Sequence, residues 1–228
     1  MHIERLDFEN SPYLGVYGLA TDRVVLIREG LEERKLSVIR EVLKVPSVET
    51  SVMKSRIIGI FAAGNSNAII VPWYIWDTEL EGIKRSLEEL GIDMEVVPFR
   101  SRLTALGNLI LSNDRAALVS VKFSREEADE LEGILGVEVE RGMIGDYHAV
   151  GSVGVVTNRG GIVHPEATDE EIEWLRDLFG VKIYVGTANM GVPFVGSCML
   201  ANSNGVVVGN PTTGPEMVKI EEALGFLD

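Results

Sequence analysis

The sequence predicts a five-bladed α/β propeller, a ring of five pseudo-symmetric strand–strand–helix–strand units. A fivefold repeat is the first observation behind it. Segments that begin at Gly15, Gly59, Gly107, Gly151 and Gly196 align without gaps over their first 13 residues, at intervals of 44, 48, 44 and 45 residues. Periods of this length mark a chain made of one supersecondary unit copied several times. Each copy also carries the same order of turn, strand and helix signals. The third observation is a mismatch between the ends. The fifth copy has only Phe226, Leu227 and Asp228 after Gly225, while an unclaimed alternating segment stands at the N-terminus.

That segment, Ile3 to Phe8, has the pattern of a half-buried strand. Residues 3–8 are expected to supply the strand missing from the fifth unit and close the ring, so that no exposed end needs capping. Six residues after each repeat glycine stands a turn triplet: Thr21-Asp22-Arg23, Asn65-Ser66-Asn67, Asn113-Asp114-Arg115, Thr157-Asn158-Arg159 and Asn202-Ser203-Asn204. Short side chains of this kind bond to nearby backbone and favour turns. Apolar runs follow at Val24 to Ile27, Ala68 to Val71, Ala116 to Val119, Gly160 to Val163 and Gly205 to Val208, so each unit should open with a hairpin.

A helix comes next. Thr78 with Glu81, Ser124 with Glu127, Thr168 with Glu171 and Thr213 with Glu216 read as capping boxes. Gly91, Gly136, Gly180 and Gly225 read as helix stops, since glycine turns left-handed without strain. The first unit lacks both signals and stops near Pro46. Short strands at Ile92 to Val97, Val137 to Arg141 and Val181 to Val185 complete the units. The whole chain, 1–228, reads as one domain.

Composition narrows the function. Hydrophobic residues make up 46% and charged residues 25% of the 228, which argues for a packed globular chain. With 21 Lys and Arg against 35 Asp and Glu, the net charge is −14. Such a field repels a nucleic-acid backbone at long range, so no DNA partner and no extensive RNA-coating surface are expected. A basic protein partner or a small local RNA contact remains open. The acids of the helix segments (Glu32, Glu33, Glu41, Glu79, Glu81, Glu88, Glu126, Glu127, Glu130, Glu170, Glu171 and Glu173) are expected on a solvated outer rim. One cysteine makes an internal disulfide impossible and fits a reducing cytoplasm. No apolar run reaches the ~18 residues of a membrane span, and the N-terminus has no signal-peptide pattern.

Motifs for chemistry are sparse. Cys198 stands where the other copies have Tyr17, Phe61, Leu109 and Val153, which reads as a buried core position before a nucleophile. His2, His148 and His164 lack metal-ligand spacing, so neither metal nor cofactor is expected. The segment from Gly209 to Gly214 has the glycine spacing of a phosphate loop, but Pro215 replaces the lysine. Trp73, Tyr74 and Trp76 sit in an enlarged loop, where they could anchor a partner or cover a helix end. The loops Arg100 to Asn108 and Met143 to His148 join units and are candidate contact surfaces.

Several stretches resemble a known family. They are Arg56 to Gly59, Gly64-Asn65, Val71-Pro72, Arg102 to Asn108, Asn113-Asp114, Ala117 to Val119, Val150 to Ser152, Gly160 to Pro165 and Val185 to Thr187. Their order and spacing are similar to translation initiation factor 6, the ribosome anti-association factor of archaea and eukaryotes. The ending at Asp228 looks like the archaeal form, which lacks the eukaryotic tail. The resemblance implies a ring of the kind called the pentein fold, cytoplasmic and without enzymatic activity. It implies binding to the large ribosomal subunit, against a basic ribosomal protein and near the sarcin–ricin RNA loop. The small subunit is then excluded, and a role in large-subunit biogenesis follows. Asn108 is the residue it singles out, with Arg102, Leu106 and Gly107 as neighbours and Asn65 as a further match that its turn role explains equally well. Ile60 stands where the eukaryotic pattern has arginine. A monomer is expected, because closure is internal. The alternative is a guanidino-modifying enzyme of the same ring, using Cys198.

Overall fold

The computed structural model describes residues 2–227. Five three-stranded sheets surround a central axis, each with its second strand in the middle. The first holds β2 (Gly18–Ala20), β3 (Val25–Arg28) and β4 (Ser47–Thr50), with helix α1 (Glu33–Leu43) crossing between the last two. The second holds β5 (Ala63–Gly64), β6 (Ala68–Pro72), α2 (Asp77–Glu89) and β7 (Glu95–Phe99). The third holds β8 (Ile110–Ser112), β9 (Ala116–Ser120), α3 (Arg125–Leu135) and β10 (Glu138–Gly142). The fourth holds β11 (Gly154–Val156), β12 (Gly160–Val163), α4 (Asp169–Phe179) and β13 (Lys182–Val185). The fifth has β14 (Met199–Asn202), β15 (Gly205–Gly209) and α5 (Gly214–Ala223).

In every sheet the first two strands are antiparallel, as a tight hairpin allows. The outer strand is parallel to the middle one, which requires the helical crossover. In the fifth sheet that outer strand is β1 (Ile3–Leu6), paired from Ile3 with Val206 to Leu6 with Gly209. The N-terminal strand thus closes the ring. It is shorter than the expected 3–8: Phe8 leaves the sheet and bridges Ser11 instead.

No blade has a core of its own. Val25 and Ile27 of β3 pack on α1 together with Leu200 and Val207 of the fifth blade, while Leu26 packs with Ile83 and Leu87 of α2 in the second. The same sharing joins blades two and three, three and four, and four and five. Both faces of each middle strand are therefore covered, which is why these strands read as continuous apolar runs instead of alternating ones.

Five glycines line the axis. Each repeat glycine is the second residue of a one-turn helix: Leu14–Val16, Ile58–Phe61, Leu106–Leu109, Val150–Val153 and Val195–Cys198. The hairpins thus start only after this turn, not at the glycines. A methyl group on Gly59 would lie 1.8 Å from the carbonyl oxygen of Gly15, on Gly107 2.0 Å from that of Gly59, and on Gly151 2.1 Å from that of Gly107. Gly196 against Gly151 (2.0 Å) and Gly15 against Gly196 (1.9 Å) complete the circle.

Three capping boxes form, at Ser124, Thr168 and Thr213. The fourth does not. Helix α2 starts two residues early, with Trp76 at the N-cap position, and Glu79, not Glu81, reaches back to the Trp76 N–H. Gly91, Gly136, Gly180 and Gly225 all adopt left-handed φ, and Lys44 takes that conformation in the first unit at φ +53°. Nine of the twelve helix-segment acids are exposed; Glu79, Glu127 and Glu171 fold back as caps. No helix among the described residues is long and apolar enough to cross a membrane.

Gly59→Ala should destabilise the protein by about 3 kcal/mol or more, because a backbone carbonyl cannot move aside for the methyl. Gly133→Ala, in mid-helix with nothing within 4 Å of the added carbon, should instead stabilise it by roughly 0.5–1 kcal/mol. Denaturant unfolding of the two variants checks both signs.

Candidate functional site

Strand directions give the ring two unlike faces. One carries the five turn triplets. Their first residues are buried, and the three asparagines among them tie blade to blade, while Thr21 and Thr157 bond within their own turns. Asn65 donates through Nδ2 to Asn113 O and Leu135 O, Asn113 to Thr157 O and Phe179 O, and Asn202 to Thr21 O and Leu43 O. Their Oδ1 atoms meanwhile accept from their own turns. The middle residues link around the rim: Ser66 donates to Asp114, Asn158 to Asp114 and Asp22, and Ser203 to Asp22. The polar groups of this face are largely engaged by one another.

The opposite face carries the one-turn helices and the inter-blade loops 7–13, 51–57, 100–105, 143–149 and 187–194. Four of these loops fold back on themselves through isolated bridges at Phe8–Ser11, Val52–Ser55, Ile144–Tyr147 and Ala188–Val192. Three reverse direction through pairs of non-glycine residues with positive φ: Glu9 and Asn10, Met53 and Lys54, Asn189 and Met190. That conformation is strained for L-residues. Two pairs are held by a helix-capping carboxylate. Glu79 accepts from the N–H groups of Met53 (2.8 Å) and Lys54 (2.7 Å). Glu216 accepts from Met190 (3.2 Å) and Gly191 (2.8 Å) and from the Thr187 hydroxyl (2.9 Å). The third loop, 100–105, has no such bridge among the described residues.

Exposed apolar groups concentrate on this loop face. Tyr13, Trp73, Trp76, Met190 and Phe194 are five of the eight large hydrophobic residues exposed among the described residues. Lys54 lies over Trp76 at 4.2 Å and Arg100 over Trp73 at 5.3 Å. Tyr147 and Phe194 enclose His164, with ring centroids 4.4 and 5.7 Å away. The His164 Nδ1 accepts from the Glu166 N–H, and its buried Nε2 has no partner among the described residues. Tyr147 lies in the Met143 to His148 loop, which the sequence marks only as a candidate contact surface, and Phe194, 46 residues on from His148, carries no motif of its own.

Four of the sequence-selected residues fall together here. Arg102 is exposed, Leu106 is fully buried beneath its loop, Gly107 is in the axial ring, and Asn108 is half-buried with Oδ1 accepting from Ser152 Oγ at 2.9 Å. Asn65 lies on the turn face, 3% exposed, with its amide engaged by two neighbouring segments and by its own turn. It has no surface to offer a partner from there.

Cys198 is fully buried in the apolar core between blades four and five. Burial pushes its thiol up to about 12, and Glu216 pushes the same way, against a weaker opposing hydrogen bond with Asn189. A nucleophilic cysteine needs the reverse shift. The described residues contain no cluster of three metal-ligating groups.

A thiol reagent at pH 8 should leave Cys198 unmodified in the folded protein over a time that labels the unfolded chain completely. Glu216 gives a pH dependence. Burial raises its carboxyl, but hydrogen bonds from Thr213, Gly191 and Thr187 outweigh burial and hold it below the ordinary 4.5. A carboxylate depressed in the folded state stabilises fully above its unfolded value and loses that contribution as pH falls through the folded one. Glu216→Gln should therefore melt below the native protein at pH 7, with the gap closing as pH drops under about 4.5.

Residues 3–223 match the sequence model of the eIF-6 family. Translation initiation factor 6 of Thermococcus onnurineus is 82% identical over 228 residues, covering all of both chains. Translation initiation factor 6 of Methanocaldococcus jannaschii is 41% identical over 226 residues, covering 99% of each. Among solved structures, DDAH from Pseudomonas aeruginosa superposes with a TM-score of 0.47 at 13% identity, over 76% of this chain and 68% of that one.

Proposed function

The chain belongs to the eIF-6 family, and from that membership we propose that it docks through its loop face on the large ribosomal subunit and blocks the surface the small subunit would use. The observation that carries this reading is the asymmetry of the two faces. One closes its polar groups on itself, and the other presents Trp73, Trp76, Tyr13 and Phe194 on the same face as the Arg102 to Asn108 stretch. Aromatic and arginine side chains of this kind are the usual anchors of protein interfaces.

The mechanism is steric. A ring held by shared cores and an axial contact of backbone on backbone has little freedom to deform, so whatever it covers is unavailable to a second partner. No bond is made or broken, and no cofactor is required. The net charge of −14 suits a basic ribosomal protein as the main partner, since opposite fields speed encounter and fix orientation. In this reading the protein is a cytoplasmic monomer that also accompanies maturation of the large subunit. The rival reading, guanidino chemistry at Cys198, is disfavoured by the burial and raised titration of that thiol.

Sedimentation with separated ribosomal subunits tests the proposal. The protein should co-migrate with the large subunit alone, reduce the yield of joined ribosomes, and release as salt rises. Asn108→Ala should weaken that co-migration by about tenfold while leaving the melting temperature within a few degrees. Absence of binding to either subunit at low salt would refute the reading.

A further inference from the structure

We infer that Asn204 is a deamidation site gated by the joint between the fifth and first blades: the closed ring prevents its cyclisation, and once converted it weakens that joint. The site lies on the turn face, away from the docking proposed above. Asn204 is the only one of ten asparagines that a glycine follows. In such a pair no side chain hinders attack by the glycine nitrogen on the asparagine amide carbon. Hydroxide takes the glycine N–H proton, the nitrogen bonds to the amide carbon, and the amide nitrogen leaves with a proton from water as ammonia. Water then opens the succinimide ring to aspartate or isoaspartate.

The fold demands both members of the pair. A methyl group on Gly205 would lie 2.4 Å from the Val42 carbonyl oxygen and 2.9 Å from that of His2, and both are backbone atoms. Asn204 is one of five turn residues that reach the helix end of the next blade. It donates through Nδ2 to the carbonyl of Leu43, the last residue of α1, at 3.0 Å. Asn67 makes the same bond to Leu135 at the end of α3. Arg159 bonds to the Gly225 carbonyl after α5, Arg23 to that of Asp93 after α2, and the Arg115 guanidinium lies against Gly180 at the end of α4. Donors suit the negative end of a helix. Only in the fifth blade does an asparagine at this position precede a glycine.

Two restraints block cyclisation while the ring is closed. The Gly205 N–H donates to Asn202 Oδ1 at 3.2 Å, so the attacking nitrogen is engaged. The Asn204 amide is held toward Leu43, and its backbone sits in a two-residue turn between β14 and β15, which pair up to Asn202 with Gly205. Both restraints depend on the joint. Asn202 donates to Thr21 O and Leu43 O of the first blade, and Ser203 donates to Asp22. Opening the joint therefore frees the nucleophile and the amide together. Conversion then acts back on the joint. A carboxylate only accepts hydrogen bonds, and at this place it faces the Leu43 carbonyl and the negative end of α1. Isoaspartate also lengthens the backbone by one carbon within the tight turn.

The test is peptide mass spectrometry after timed incubation at pH 8, with released ammonia measured in parallel. It compares the folded native protein, the chain unfolded in guanidinium chloride, and Asp22→Ala, and it adds melting curves of Asn204→Asp. In the unfolded chain Asn204 should convert before the other asparagines, Asn67 included, because the Ala68 methyl hinders attack there. In the folded protein Asn204 should convert more slowly by about tenfold or more, since only the open fraction reacts. Asp22→Ala removes the acceptor that holds Ser203 and should raise the folded rate several-fold while leaving the unfolded rate unchanged. Asn204→Asp, the product of the reaction, should melt a few degrees below the native protein. Equal rates in the folded and unfolded chains, or a folded rate that Asp22→Ala leaves unchanged, would overturn the gating. Earlier conversion of another asparagine in the unfolded chain would overturn the site. A melting temperature of Asn204→Asp equal to the native one would overturn the effect on the joint.

Discussion

Five carbonyl oxygens pressed against five glycine α-carbons set the geometry of this ring. Gly15, Gly59, Gly107, Gly151 and Gly196 each lie where a methyl group would come within about 2 Å of the preceding glycine's oxygen. The contact is backbone on backbone, so no rotamer change can relieve it. It brings the one-turn helices of all five blades together at the axis. Each blade is then wedge-shaped by necessity, with small residues inside and a full helix outside.

The remaining packing follows from that wedge. Blades that meet at the axis must bury the space between them farther out. They do so through five apolar cores that each belong to two neighbours. A single blade would expose half of its core, so the units depend on the closed ring. Buried asparagine amides reinforce the same joints on the turn face, each donating to two carbonyls of the neighbouring blade. Closure by β1 uses the same logic, because it gives the fifth middle strand the parallel neighbour that the other four obtain from their own units.

This division leaves one face available for a partner. The turn face uses its side chains to hold the blades, so a substitution such as one at Asn65 acts on stability. The loop face is supported from below by the axial helices and by the carboxylates of Glu79 and Glu216. It can therefore present aromatic and cationic side chains at fixed positions. A rigid surface of this kind suits the steric role proposed for it, and the burial of Cys198 argues against that thiol as a nucleophile.

The sequence by itself determined the repeat, the hairpin turns, three of the capping boxes and the closing role of the N-terminal strand. Each of these depends on residues close together in the chain or on a pattern copied five times. Tertiary structure alone decided the rest. The glycines mark the repeat in sequence, but only the ring shows that they touch, because the partners are about 45 residues apart. Thr78 and Glu81 fit a capping pattern, yet Glu79 takes the cap because it can also hold the Met53–Lys54 turn of the preceding loop. Asn65 and Asn108 look alike as sequence matches, and the fold buries one and leaves the other at the loop face. Contacts between units are absent from any local pattern, because their energy comes from residues that the chain brings together only after each unit has formed.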